Sequence, residues 1–321
     1  MSGEAYGSLK NGSSQRVENI ILNDFISLHL LESDSCHLHH HYPENYTHQI
    51  KNHRLEKDNM YLRAVHAELN IPTLRNFIKQ NPLGLLITAI PSSNFPTIQC
   101  THLPWLIDVQ DDTSETELGK LRGHMAKPNP HSKAMTEAVM MQTTSSPSPS
   151  PSNGRLTEEV SVIFNGPAHH YVTPKFYVET KPSTGKVVPT WNYSAVQAYG
   201  TATIYFDSKN EETGEYLQRQ ISDLSHHAET NVMGYSKPWG VNDAPDRYIE
   251  LLKKNIIGIE IDITRLEGKF KMSQELGKGD REGVIKGFEA LSTDEGVTIA
   301  RTVEERGALK ESQAQAQAAA A

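Results

Sequence analysis

Residues 196–206 alternate without a break. Val196, Ala198, Gly200, Ala202, Ile204 and Phe206 fall on one face, and Gln197, Tyr199, Thr201, Thr203 and Tyr205 on the other. A period of two belongs to a β-strand with one buried and one polar face. Ile257, Ile259, Ile261 and Ile263 repeat it. Strands of this kind need partners on both edges, and the chain offers them: 83–90, 97–109, 118–125 and the alternation Val160, Val162, Phe164 all read as strands. Helical spacing marks only short pieces. Leu74, Phe77 and Ile78 follow Pro72-Thr73 and stop at Asn81-Pro82, because a residue before proline avoids the helical region. Segments 131–142 and 246–254 read as further helices, as does the run carrying Leu217, Ile221 and Leu224. Strands and helices do not alternate strictly, so the expectation is a mainly β protein, a barrel with helical decoration, and not a doubly wound sheet.

Composition divides the chain unevenly. Residues 1–59 show no sustained period and read as a disordered arm. Patterning begins at Met60 and continues to about residue 291, the expected domain. Ser145–Ser152 alternates serine and proline, so a flexible insertion is expected over about 143–157. Residues 292–321 read as a C-terminal tail, and from about Ser312 its Gln/Ala repeats have nothing to pack against.

A formal charge of −8 argues against phosphate-backbone binding as the main source of affinity, so direct nucleic-acid binding is not expected. No apolar run approaches the roughly 18 residues of a membrane span, and no compact secretory h-region opens the chain. The expectation is a cytoplasmic protein, with the nucleus left open. Two cysteines, Cys36 and Cys100, make neither a disulfide framework nor a CxxC site. Dinucleotide and Walker glycine loops, GxSxG and HExxH are all missing.

Four places carry candidate chemistry. Histidines 37, 39, 40 and 41 surround Cys36 on the arm, where adventitious metal binding explains them as well as function does. Thr101-His102-Leu103-Pro104 puts an imidazole in a strand beside a proline, which implies an edge or bulge. Gly123-His124-Met125-Ala126 leads to Asn129-Pro130, where a strand gives way to a capped helix, and the capping alone would explain Asn129. Val188-Pro189-Thr190-Trp191-Asn192-Tyr193 sets aromatics around an amide, either a platform for a planar ligand or the closure of a barrel end.

Taken in order, these motifs resemble the PaiB family of FMN-binding split-barrel proteins. The resemblance runs from Met60-Tyr61 to about Leu291 and includes Gly166-Pro167, Tyr171-Val172-Thr173-Pro174, Ile257-Gly258-Ile259-Glu260-Ile261 and Phe270-Lys271-Met272-Ser273-Gln274. It implies a six-stranded split barrel related to pyridoxine-phosphate-oxidase-like flavoproteins, a homodimer with ligand sites at the subunit interface, and FMN as cofactor. Bacterial relatives are described as transcriptional regulators of protease production and sporulation. On this reading Arg122, Lys127 and Lys271 grip the phosphate, and Trp191 covers the isoalloxazine. Asn192 and Thr101 bond its polar edge, and His102 and His124 donate to flavin or phosphate. The chain then reads as a regulatory or accessory flavin-binding protein; the alternatives are an FMN-dependent oxidoreductase acting on a small molecule, or a haem-binding or haem-degrading protein with histidine ligands. Many relatives carry histidine where this chain has Gln197, so a ligand contact made there would be altered.

Overall fold

The computed structural model describes residues 62–143 and 153–320. The arm 1–59, with its histidines and Cys36, and the Ser/Pro run 144–152 lie outside the described residues. In chain order the elements are β1 (Ala67–Glu68), α1 (Ile71–Gln80), β2 (Leu83–Ala89), β3 (Ile98–Pro104), β4 (Leu106–Asp108), β5 (Lys120–Ala126), α2 (Pro130–Thr143) and β6 (Asn153–Asn165). There follow β7 (His170–Val172), α3 (Thr180–Thr184), β8 (Thr190–Tyr205), α4 (Glu211–His227), α5 (Asp246–Lys253), β9 (Ile256–Lys271), α6 (Lys278–Glu289) and α7 (Asp294–Ala320).

All strand pairs are antiparallel, in the order β3-β2-β6-β8-β9-β5-β4, with β1 added to β9 and β7 to β8. The two ends of this path are one stretch of chain. β3 pairs with β2 and β4 with β5, and only Trp105 separates them. Residues 98–108 thus exchange one neighbour for the other and close six strands into a barrel. Past Leu106↔Arg122 the β3 half no longer pairs with β5, which leaves the barrel split along that seam. Trp105 fills the point of exchange. It is 1% exposed, and a Cβ on Gly84 of β2 or Gly123 of β5 would come within 2.9 Å of its indole.

The sequence alternation maps onto this geometry. Even-numbered β8 residues Val196, Ala198, Ala202 and Ile204 point into the core with Leu86, Val162, Leu121 and Ile259. Gly200 sits at a bulge, where a Cβ would meet the Asp262 carbonyl oxygen at 2.2 Å. α1 starts where Asn70 Oδ1 accepts from the Thr73 amide (2.9 Å), and buries Leu74, Phe77 and Ile78 near the Gly268 end of the strands. α2 buries Met135 and Val139 near the opposite end, against Gly154. α4 lies outside, with the Tyr216 ring on Gly258 and stacked on Tyr205 (4.1 Å between centroids).

A second core joins β7, α6 and α7 through Val172, Met272, Val284, Phe288, Ile299 and Val303. The stretch 292–321, expected as a C-terminal tail, thus begins as α7 packed into this second core. Ile299 and Val303 are fully buried, Arg281 pairs with Glu311, and Lys310 donates to the Gln274 carbonyl (2.7 Å). From residue 308 onward the described side chains are uniformly exposed. The insertion is also narrower than expected, because Asn153 already belongs to β6.

Candidate functional site

The outer face of β8, β6, β2 and β3 carries one continuous cross-strand row. Registers place His102 opposite Leu85, Leu85 opposite Ile163, Ile163 opposite Gln197, and Gln197 opposite Glu267. Paired residues share a face, so these five line up across five strands. His102 is exposed, Leu85, Ile163 and Gln197 are half-buried, and Glu267 is 8% exposed. The charged end is organised. Tyr199 donates to Gln197 Oε1, the Arg265 guanidinium lies 3.8 Å over the Tyr199 ring, and Arg265 Nη1 bonds Glu267 Oε1 (2.8 Å). Burial, with help from the Glu267 charge, raises the Tyr199 phenol above its ordinary value and keeps it a donor. Glu267 Oε2 is buried with no partner among the described residues. Farther along the same face, Lys269 sits over the Tyr193 ring (5.5 Å) and Lys271 bonds Thr190 Oγ1.

Thr101 lies on the other side of its strand from His102 and faces the barrel end. Its hydroxyl meets His131 Nδ1 at 2.9 Å, while His131 Nε2 meets Thr88 Oγ1 at 2.9 Å. Both ring nitrogens are thus held between β2 and β3. Burial pushes this imidazole down to about 4. Asn129 is the cap of α2: its Oδ1 accepts from the His131 amide (3.0 Å) and its carbonyl from the Lys133 amide (3.1 Å). No local motif marks His131, although the Asn129-Pro130 cap that aims it inward is legible in the sequence. These contacts engage the Thr101 hydroxyl and the Asn129 carboxamide oxygen in the fold and leave neither pointed at a ligand on the outer face.

Two further expectations change for the same reason. Arg122 is 4% exposed and its guanidinium is already occupied: Nε and Nη2 grip Asp108, Nη2 also bonds Asp223 (2.8 Å), and Nη1 bonds Gln220 Oε1 (3.2 Å). It ties β5 to β4 and α4, with four of its five N–H donors committed to Asp108, Asp223 and Gln220. Asn192 is fully buried and exchanges hydrogen bonds with Ser273 Oγ (3.0 and 3.1 Å), so it fastens β8 to the end of β9.

His124 and Lys127 stand at the β5 end of the seam. His124 Nδ1 is buried without a partner among the described residues, and desolvation lowers its imidazole. Desolvation also lowers the Lys127 ammonium, against some support from Asp207. Trp191 is 53% exposed on the β7–β8 ribbon, with Tyr171 edge-on at 6.2 Å and His169 at 6.1 Å.

The expected pocket walled jointly by Trp191, His102 and His124 is not formed by this chain. His124 is level with Gly258 at one end of β9, and Tyr193 with Lys271 at the other. At about 3.3 Å per residue those levels are roughly 40 Å apart along the strand. Trp191 lies about 20 Å along β8 from the row that holds His102. The residues the fold does gather with His102 are Gln197 and Glu267; nothing local in the sequence marks the register of Glu267 and its partner Arg265.

Residues 60–265 match the family described as "Putative FMN-binding domain". An uncharacterised protein of Aspergillus fumigatus is 59% identical over 262 residues, covering 78% of this chain and 99% of its own length. The Bacillus subtilis protein named "Protease synthase and sporulation protein PAI 2" is 24% identical over 247 residues, covering 77% of this chain and 98% of its own. Among solved structures, a conserved hypothetical protein of Mycobacterium tuberculosis superposes with a TM-score of 0.40 at 12% identity, covering 68% of this chain and 94% of that one. With a six-stranded split barrel and this family match over most of its length, the chain belongs to the PaiB family of FMN-binding split-barrel proteins.

Proposed function

We propose that this protein binds FMN on the outer face of the barrel and acts as a regulatory or accessory flavoprotein, working as a homodimer. The observation that carries the reading is the row from His102 to Glu267, an apolar floor of Leu85 and Ile163 between polar ends. A planar ring system suits such a floor, and the unpartnered Glu267 Oε2 beside it is a buried acceptor in need of a donor. Lys269 and Lys271, on the same face, would hold the phosphate by charge-assisted bonds. Bound there, FMN would supply the redox chemistry, and the protein would fix the ring and exclude water from one side of it.

The homodimer is supported by what remains uncovered. Leu83 and Ile98 at the edge of this face are 61% and 68% exposed, and Trp191 projects from its ribbon. A second copy laid against the face would bury them and close the other side of the ring, bringing together residues that one protomer keeps apart. The regulatory role rests on the likeness to the Bacillus subtilis protein, which is named for protease synthesis and sporulation.

The test is an absorbance spectrum of the purified full chain after incubation with FMN and removal of free flavin, with a light-scattering mass on the same sample. Retained flavin bands and a mass of two chains are expected. A colourless protein overturns flavin binding, a mass of one chain overturns the dimer, and bound flavin that NADH or NADPH reduces would replace the accessory role with that of an oxidoreductase.

A further inference from the structure

We infer that Gln197 and Glu267 together read the carbonyl–imide edge of the flavin's pyrimidine ring, a subsite that rests on the flavin-binding reading above. The two are direct cross-strand partners on the outer face. The fold has fixed which of their atoms remain available. Tyr199 donates to Gln197 Oε1, which turns the amide so that Nε2, a donor, is the group left without a bond among the described residues. Arg265 takes Glu267 Oε1, which leaves Oε2, an acceptor, buried and unpartnered. One free donor beside one free acceptor is the complement of a C=O next to an N–H on the rim of a flat ring.

The energetics favour this use of the pair. A carboxylate 8% exposed with one oxygen unsatisfied has lost water without recovering a bond, and a ligand N–H that reaches it recovers a charge-assisted one. Arg265 engages the other oxygen, Oε1, at 2.8 Å, so Oε2 is the acceptor left over. The Gln197 amide supplies a permanent donor to the ring carbonyl, where an imidazole would supply one only in the appropriate tautomer. The apolar floor of Ile163 and Leu85 begins beside Gln197, so a ring whose imide edge meets the pair lies with its body over that floor.

The test is titration of the full chain with FMN and with FMN methylated at N3, followed by flavin fluorescence. The wild type is expected to bind the methylated flavin about tenfold or more weakly, since the methyl removes the N–H that Glu267 accepts. Glu267→Gln, which sets an amide against that N–H, is expected to bind FMN about tenfold more weakly and to lose the discrimination. Equal wild-type affinity for the two flavins overturns the subsite and leaves flavin binding standing; no wild-type binding of either overturns both. Should Glu267→Gln fail to fold by circular dichroism, the wild-type comparison still decides. Gln197→Leu gives a second measure: it is expected to weaken both flavins by the same factor, and unchanged affinity for both overturns the role of Gln197.

Discussion

The indole of Trp105 lies against the backbone of Gly123, so close that a Cβ there would sit 2.9 Å from two ring carbons. This contact is where the strand 98–108 leaves β2 and joins β5, and the ring has no room to retreat because Gly84 abuts it too. Gly123→Ala is therefore expected to cost about 1–3 kcal/mol through overpacking. Urea unfolding followed by circular dichroism measures it. An unchanged midpoint would show that the closure tolerates a methyl group and that Trp105 is not its pivot.

The His131 clamp predicts a pH dependence. Its imidazole is held down to about 4 by burial, against 6.5 in the ordinary case. Between those values the unfolded chain binds the proton and the folded chain does not, so stability falls as pH drops from about 6.5 towards 4. At about 1.4 kcal/mol per pH unit the loss reaches about 2 kcal/mol by pH 5. Desolvation lowers His66 and His124 as well, which adds in the same direction, so the comparison needs a variant. His131→Gln, unfolded in urea at pH 7 and pH 5, should lose less on acidification than the wild type. Equal losses would remove His131 as the source.

Much of the barrel was legible because its strands keep one face for the core. The inward set of β8 is apolar at almost every second residue, and nothing in tertiary packing contradicts it. The last turns of the fold were hidden for a physical reason. α6 carries Gly279, Gly283 and Gly287, which local propensity scores against a helix, yet Gly283 and Gly287 lie where a Cβ would strike the Phe176 carbonyl and ring at 2.2 and 2.3 Å. Close packing selected them. The candidate site was legible only as residue types. Arg122 looked available because its partners Asp108 and Asp223 lie in β4 and α4, and His102, Gln197 and Glu267 meet only through strand register.

The terminal helix divides into a structural and a dispensable part. Ile299→Ala empties space in the second core and should cost roughly 2–4 kcal/mol. Truncation after Glu311 removes only exposed side chains among those described and keeps the Arg281–Glu311 pair, so thermal stability should stay within about 0.5 kcal/mol. Thermal melts of both variants check this. A truncation as damaging as Ile299→Ala would mean that residues beyond Glu311 are covered in solution.

Arg122 separates a scaffold role from a ligand role. Its guanidinium is buried while Asp108 and Asp223 are 41% and 47% exposed. Arg122→Met keeps most of the side-chain volume but strands two carboxylates and the Gln220 oxygen. Loss of one partner from a fully buried pair costs about 3–5 kcal/mol; the water that reaches these aspartates softens that to about 2 kcal/mol. Because no donor of Arg122 faces the outer row, FMN affinity of the folded variant should change less than about twofold, whereas Lys271→Met, on the proposed phosphate side, should weaken it about tenfold. Urea midpoints and flavin titrations on the two variants give opposite patterns if this division is right. A large affinity loss in Arg122→Met with unchanged stability would move the phosphate to β5 and away from the Lys269–Lys271 end of the face.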